Sequence, residues 1–102
     1  MEYRIEFSPE AMAQAIEARD WIADSSPDRA VKWFDNLLVA IESLKTFPLR
    51  CPLATDSDEY GEDVRVLLYG KRRGIYRVLF TVQDDLIVIA AIRHGARGPG
   101  RG

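Results

Sequence analysis

The chain has 102 residues, 47% of them hydrophobic and 29% charged, a composition that predicts one globular domain spanning 1–102 with a single core. The aromatic fraction of 10% beside the charged fraction of 29% excludes a collagenous, low-complexity or disordered chain. No apolar run reaches the roughly 18 residues a membrane span needs, and MEYRIEFSPE has neither the basic cap nor the apolar stretch of a signal peptide, so cytoplasmic residence without membrane contact is expected. Cys51 is the only cysteine, which excludes an intramolecular disulfide; no metal site and no cofactor are predicted.

The net charge of −2 conceals a division. Residues 1–64 carry 6 Lys or Arg against 14 Asp or Glu, whereas residues 65–102 carry 8 against 2, or +6. Arginine on such a segment favours polyanions, because its planar fork pairs phosphate oxygens and its charge does not titrate away.

In chain order, YRIEF alternates Tyr3, Ile5 and Phe7 with Arg4 and Glu6, the period of a half-buried strand. Ser8-Pro9 then predicts a helix start: the hydroxyl accepts an orphan amide, and proline lacks the amide that would go unpaired. The first helix is expected from about Pro9 to Ala23, with a stripe of Met12, Ala15, Ile16, Arg19, Ile22 and Ala23. Ser26-Pro27 repeats the signal so soon that the second helix must fold back as an αα-hairpin. Its stripe is Ala30, Phe34, Leu37, Leu38, Ile41 and Leu44, and Pro48 should end it near Phe47. Trp21 and Trp33 lie off these stripes, where they would cap the hairpin within the core or form an exposed partner surface. Residues 48–63, PLRCPLATDSDEYGED, have no sustained period and read as a solvated loop; DSDEYG starts like a calcium loop, but Tyr60 and Leu67 stand where oxygen ligands are required.

Three strands follow, VRVLLY, IYRVLFTV and LIVIAAI, joined by GKRRG and by Gln83-Asp84-Asp85. Links this short predict an antiparallel meander. The last strand is apolar on both faces and so belongs in the middle, which gives an α+β fold, β-α-α-β-β-β, an antiparallel sheet of order 1-4-3-2 with the helix hairpin on one face. Parity places Tyr76, Val78, Phe80 and Val82 under the helices and turns Arg77 to the other side. Arg65 and Arg93 are expected beside Arg77 there, bordered by the basic loop Lys71-Arg72-Arg73 and by His94 and Arg97. The bare face should also carry apolar surface from Leu67, Leu79, Ile87 and Ile89. A plainer role for Arg77 is pairing with a carboxylate such as Glu6.

The EFSPEA start, the Ser26-Pro27 helix ending at Phe47-Pro48, GKRRGIYRVLFTV and the closing IRHGARG together resemble the RelE/ParE superfamily of bacterial type II toxin–antitoxin toxins. The resemblance covers nearly the whole chain. It implies a toxin held in check by a cognate antitoxin, which is expected to be small, acidic and partly disordered. RelE-like members are metal-independent endoribonucleases that cut messenger RNA in the ribosomal A site, whereas ParE-like members inhibit DNA gyrase. On the first reading, translation is inhibited by ribosome-dependent mRNA cleavage. Arg77 and Arg97 then match transition-state arginines and His94 lies near the position of an acid–base histidine, while Arg65, Lys71, Arg72, Arg73 and Arg93 would bind nucleic acid. Metal-free cleavage suits these residue types, since a histidine with its ordinary pKa near 6.5 both takes and gives a proton and guanidinium groups hold the phosphorane. The chain departs from that branch in two places. VRVLLY offers only Arg65 where RelE-type enzymes carry further lysines, and the chain ends in GPGRG where they carry a helix with a tyrosine. Both departures favour the gyrase reading, whereas the basic GKRRG loop could partly replace the lysines; the expectation is therefore the mRNA-cleaving toxin, with a gyrase inhibitor, or a non-toxic antitoxin-binding module of the same fold, as the alternatives.

Overall fold

The computed structural model describes residues 2–71 and 74–95. Strand β1 (Arg4–Phe7) runs into helix α1 (Pro9–Ser25), which folds back as α2 (Pro27–Glu42). Strands β2 (Arg65–Tyr69), β3 (Tyr76–Gln83) and β4 (Leu86–His94) complete the domain. Both expected helix starts are present. Ser8 Oγ accepts the Ala11 amide at 3.0 Å and Ser26 Oγ accepts that of Arg29 at 3.2 Å, each with proline at the first helical position.

The sheet order is β1-β4-β3-β2, as the strand patterns imply. It is mixed rather than antiparallel, because β1 pairs parallel to β4 with Ile5 opposite Ile87 and Phe7 opposite Ile89. The cause is the hairpin. Glu42 at the end of α2 and Lys45 just after it line the same groove as Glu2 and Arg4, so the chain returns to the end from which β1 set out. Strand β2 then runs alongside β1 in direction, β3 reverses, and β4 is parallel to β1.

Buried alanines shape α1. Its inner face is Ala11, Ala15 and Ile22 with Ala18 packed beside them, whereas the expected stripe members Met12 and Ile16 lie at its exposed margin. Small side chains let the helix axis approach the sheet, and Gln14 uses that closeness to accept the Ile92 amide at 2.7 Å. Helix α2 contributes Ala30, Leu37 and Ile41, and stops five residues before Phe47. A 3-10 turn at Ser43–Lys45 follows, and Phe47 takes a left-handed φ of 56° ahead of Pro48. Arg50 Nη1 donates to the carbonyls of Thr46 (2.8 Å) and Phe47 (3.0 Å), filling acceptors that the helix end leaves open.

Leu37, Leu44, Val78, Phe80, Ile87 and Ile89 form the main core between sheet and helices. A register shift at Leu79/Phe80 inserts Ala90 as an extra residue in β4, so Ile89 and Ile92 both face the helices although three positions apart. Ser8 Oγ donates to the Ala90 carbonyl at 3.0 Å, tying the entry of α1 to this bulge.

The expectation of a bare second face fails. Residues 48–63 are not a solvated loop: with 3-10 turns at Pro48–Arg50 and Ser57–Tyr60 they fold over that face, where Ala54 and Val64 pack with Leu79 and Ala91. Leu79 is fully buried under this flap, Ile87 and Ile89 lie in the main core, and Leu67 packs against it, so none of the four supplies open apolar surface. Segment 52–54 also caps half of the β2 edge, through Val66 N–H to Pro52 O (3.0 Å) and Ala54 N–H to Val64 O (2.7 Å). Among the described residues no helix is long and apolar enough to cross a membrane.

Candidate functional site

Cross-strand register sorts the cationic residues by face, since directly opposed residues share a side of the sheet. Arg77 stands opposite Arg93 and also opposite Leu68, away from the helices. Arg65 stands opposite Phe80 and therefore shares the helix-side parity, contrary to the expected grouping with Arg77 and Arg93. It is held by the flap, with Nη1 donating to the Cys51 carbonyl at 2.7 Å. The source of the error is β2 itself. Val64 and Val66 go to the smaller cluster and Leu67 and Tyr69 to the main core, so both faces of the strand are apolar and its alternation is ambiguous.

Arg77 is occupied. Its Nη2 lies 3.0 Å from Asp56 Oδ1, and the two side chains are only 14% and 8% exposed. Asp56 is the partner of Arg77 that the sequence did not reveal, because it sits in an acidic stretch with no periodicity. The only hint was the apolar residues Ala54, Tyr60 and Val64 around it, which marked the segment as more than solvated loop. Two directly opposed arginines repel, and the carboxylate between flap and sheet offsets that repulsion. The second carboxylate oxygen, Oδ2, is buried without a hydrogen-bond partner. Among the described residues Arg93 is half-buried and makes no ion pair.

His94 is on the opposite side. It faces Tyr76 across the strands, with ring centroids 5.0 Å apart, and Tyr76 meets Trp33 at 5.0 Å, so the histidine continues an aromatic row on the helix side. Tyr69 joins this row against Trp33 at 5.8 Å and donates its hydroxyl to the Trp33 carbonyl at 2.7 Å; burial raises its pKa above the usual 10.0. Burial also raises the Cys51 thiol, although Arg50 and Arg65 oppose the effect. Thus Trp33 takes the core role, while Trp21 is 67% exposed on a groove of about 740 Å³ between α1 and the end of β4, which Glu17, Arg93 and His94 also line.

The sheet thus separates Arg77 from His94 and places Arg65 apart from both. Lys71 is exposed at the β2–β3 turn, where Gly70 adopts φ +107° and a Cβ would lie 2.2 Å from the Gly74 carbonyl oxygen. Arg72, Arg73 and Arg97 lie outside the described residues, as does the glycine-rich tail.

A helix hairpin laid on one side of a four-stranded 1-4-3-2 sheet, with the cationic meander last in the chain, defines a toxin fold of the RelE/ParE superfamily. Within it, residues 5–99 match the family model for the ParE toxin of type II toxin–antitoxin systems, parDE, and the chain belongs to that family. A solved structure from the chromosomal ParDE toxin–antitoxin system of P. aeruginosa is similar in fold, with a TM-score of 0.70 and 19% identity, over 91% of this chain and 96% of that one. No curated protein matches the sequence. A toxin of such a system has a cognate antitoxin as its partner.

Proposed function

We propose that this toxin acts as an inhibitor of DNA gyrase and not as a messenger RNA nuclease. The observation that carries this reading is the separation of Arg77 from His94 by the sheet. Acid–base cleavage of RNA needs the proton-transfer group and the phosphate-binding cations within hydrogen-bond reach of one phosphate. Arg77 lies on the flap side, bound to Asp56, whereas His94 lies on the helix side against Tyr76. The two strand arginines therefore serve different ends: Arg77 fastens the flap to the sheet, and Arg93 remains a recognition cation at the end of β4, lining the same groove as Trp21. The antitoxin, on this reading, brings an acidic and partly disordered segment to the cationic residues 65–102, which carry +6.

The test is a supercoiling assay in which purified toxin is titrated into gyrase, ATP and relaxed plasmid. Dose-dependent loss of supercoiling that the cognate antitoxin reverses is the expected result. Undiminished supercoiling at saturating toxin overturns the proposal.

A further inference from the structure

Strand β1 forms one edge of the sheet, and its hydrogen bonding to β4 fixes which of its backbone groups are spoken for. Arg4 N–H donates to Asp85 O at 2.8 Å and Ser8 N–H donates to Ile89 O at 2.9 Å. Even-numbered residues thus face β4, and the amides and carbonyls of Tyr3, Ile5 and Phe7 point out from the edge. Beside them runs a groove of about 640 Å³, walled by Tyr3, Ile5 and Phe7 on the strand and Leu38 and Ile41 on α2. A short edge strand is commonly protected by charge that repels a newcomer. Here Arg4 and Glu6 are exposed, opposite in sign and two residues apart, an arrangement that rejects most registers and favours one; Arg4 also reaches Asp85 of its own chain at 3.6 Å, an exposed pair that a closer carboxylate can replace.

We infer that a second copy of this chain docks here, β1 against β1 antiparallel about a two-fold axis at Ile5, joining two sheets into one of eight strands. In that register Ile5 faces Ile5 of the second copy, Tyr3 faces Phe7, and both outward backbone groups of each of these residues find partners across the axis. Arg4 of each copy then stands opposite Glu6 of the other, giving two symmetric ion pairs on the face away from the helices. Centring the pair on Arg4 instead opposes Arg4 to itself and Glu2 to Glu6, and centring on Glu6 opposes Glu6 to itself. A one-residue slip turns Tyr3, Ile5 and Phe7 away from the groove. The charges of RIEF therefore specify its own antiparallel copy. The contact is small, at the low end of protein interfaces below about 1,200 Å², so association is weak and concentration-dependent. It leaves Arg93, Lys71 and Trp21 uncovered on each copy, because none of them lines the groove beside β1.

Sedimentation velocity of the purified full chain over a concentration series into the high micromolar range tests this. A reversible monomer–dimer equilibrium is expected. Arg4→Glu or Glu6→Arg alone should weaken it about tenfold by opposing like charges at both symmetric positions, and the double variant R4E/E6R should restore it. Ile5→Pro removes an amide that β4 does not use and should leave a monomer with an unchanged far-ultraviolet circular dichroism spectrum. A wild-type chain that stays monomeric throughout overturns the inference, as does a dimer indifferent to both single charge reversals. Amides of Ile5 and Phe7 that become protected from hydrogen exchange only when the antitoxin is added would assign the edge to that partner and equally refute self-pairing. None of these outcomes bears on gyrase, so the two proposals stand or fall separately.

Discussion

Arg77→Ala removes one half of the ion pair that joins the flap to the sheet and leaves Asp56 buried with neither carboxylate oxygen partnered. Asp56 is 8% exposed and already has one orphan oxygen, so the loss falls near the range for breaking a buried pair; taking its low end gives about 3 kcal/mol. For a domain of this length each kcal/mol moves the midpoint by roughly 4–8 °C, so the variant should melt roughly 12–24 °C lower. Asp56→Ala leaves the opposed Arg77 and Arg93 uncompensated and should cost a similar amount. Because both substitutions break one interaction, the double variant should lose far less than the sum of the singles, with a coupling of about 2 kcal/mol in urea-denaturation midpoints. Single losses below about 0.5 kcal/mol that simply add would show that the pair does not hold the flap and would remove the structural role assigned to Arg77.

Further outcomes follow from the packing. Leu37→Ala, at a fully buried α2 position, should destabilise by about 2–5 kcal/mol in chemical denaturation, whereas Trp21→Ala should change stability by less than about 0.5 kcal/mol. Gly70→Ala should cost more than about 1 kcal/mol, since φ +107° is strained for any side chain and the new methyl meets the Gly74 carbonyl; an unchanged melting point would contradict this turn geometry. The raised pKa of Tyr69 also sets a sign. Below pH 10.0 both folded and unfolded states keep the phenol protonated; above it the unfolded chain ionises first, so stability falls as pH rises toward the folded value. Tyr69→Phe should remove that share of the alkaline loss in melting curves across this window. Cys51, buried with its thiol pKa raised, should react with a thiol reagent at pH 8 far more slowly in native protein than in urea.

The legible parts of the fold were those with a local cause. Ser8-Pro9 and Ser26-Pro27 mark helix starts through bonds made within three residues, and the two-sided apolar run of β4 revealed its central place before any contact was known. What the sequence concealed depends on groups distant in the chain. The parallel direction of β1 follows from where the helix hairpin delivers the chain, and the burial of residues 48–63 follows from Asp56 meeting an arginine 21 positions away. The face of Arg65 was hidden because β2 is apolar on both sides. The Ala90 bulge changes the parity of β4 partway along, so Ile87 and Ile89 turn to the helices while Arg93 keeps the expected face; His94, expected just past the strand, continues it and so takes the side opposite Arg93.

Target choice is the point on which the rest depends, and one culture can decide it. After induction without antitoxin, plasmid topology on chloroquine gels and message integrity by primer extension should be read from the same cells. The account predicts plasmid that loses negative supercoiling while translated messages stay intact. Codon-phased message cleavage with supercoiling unchanged would contradict it.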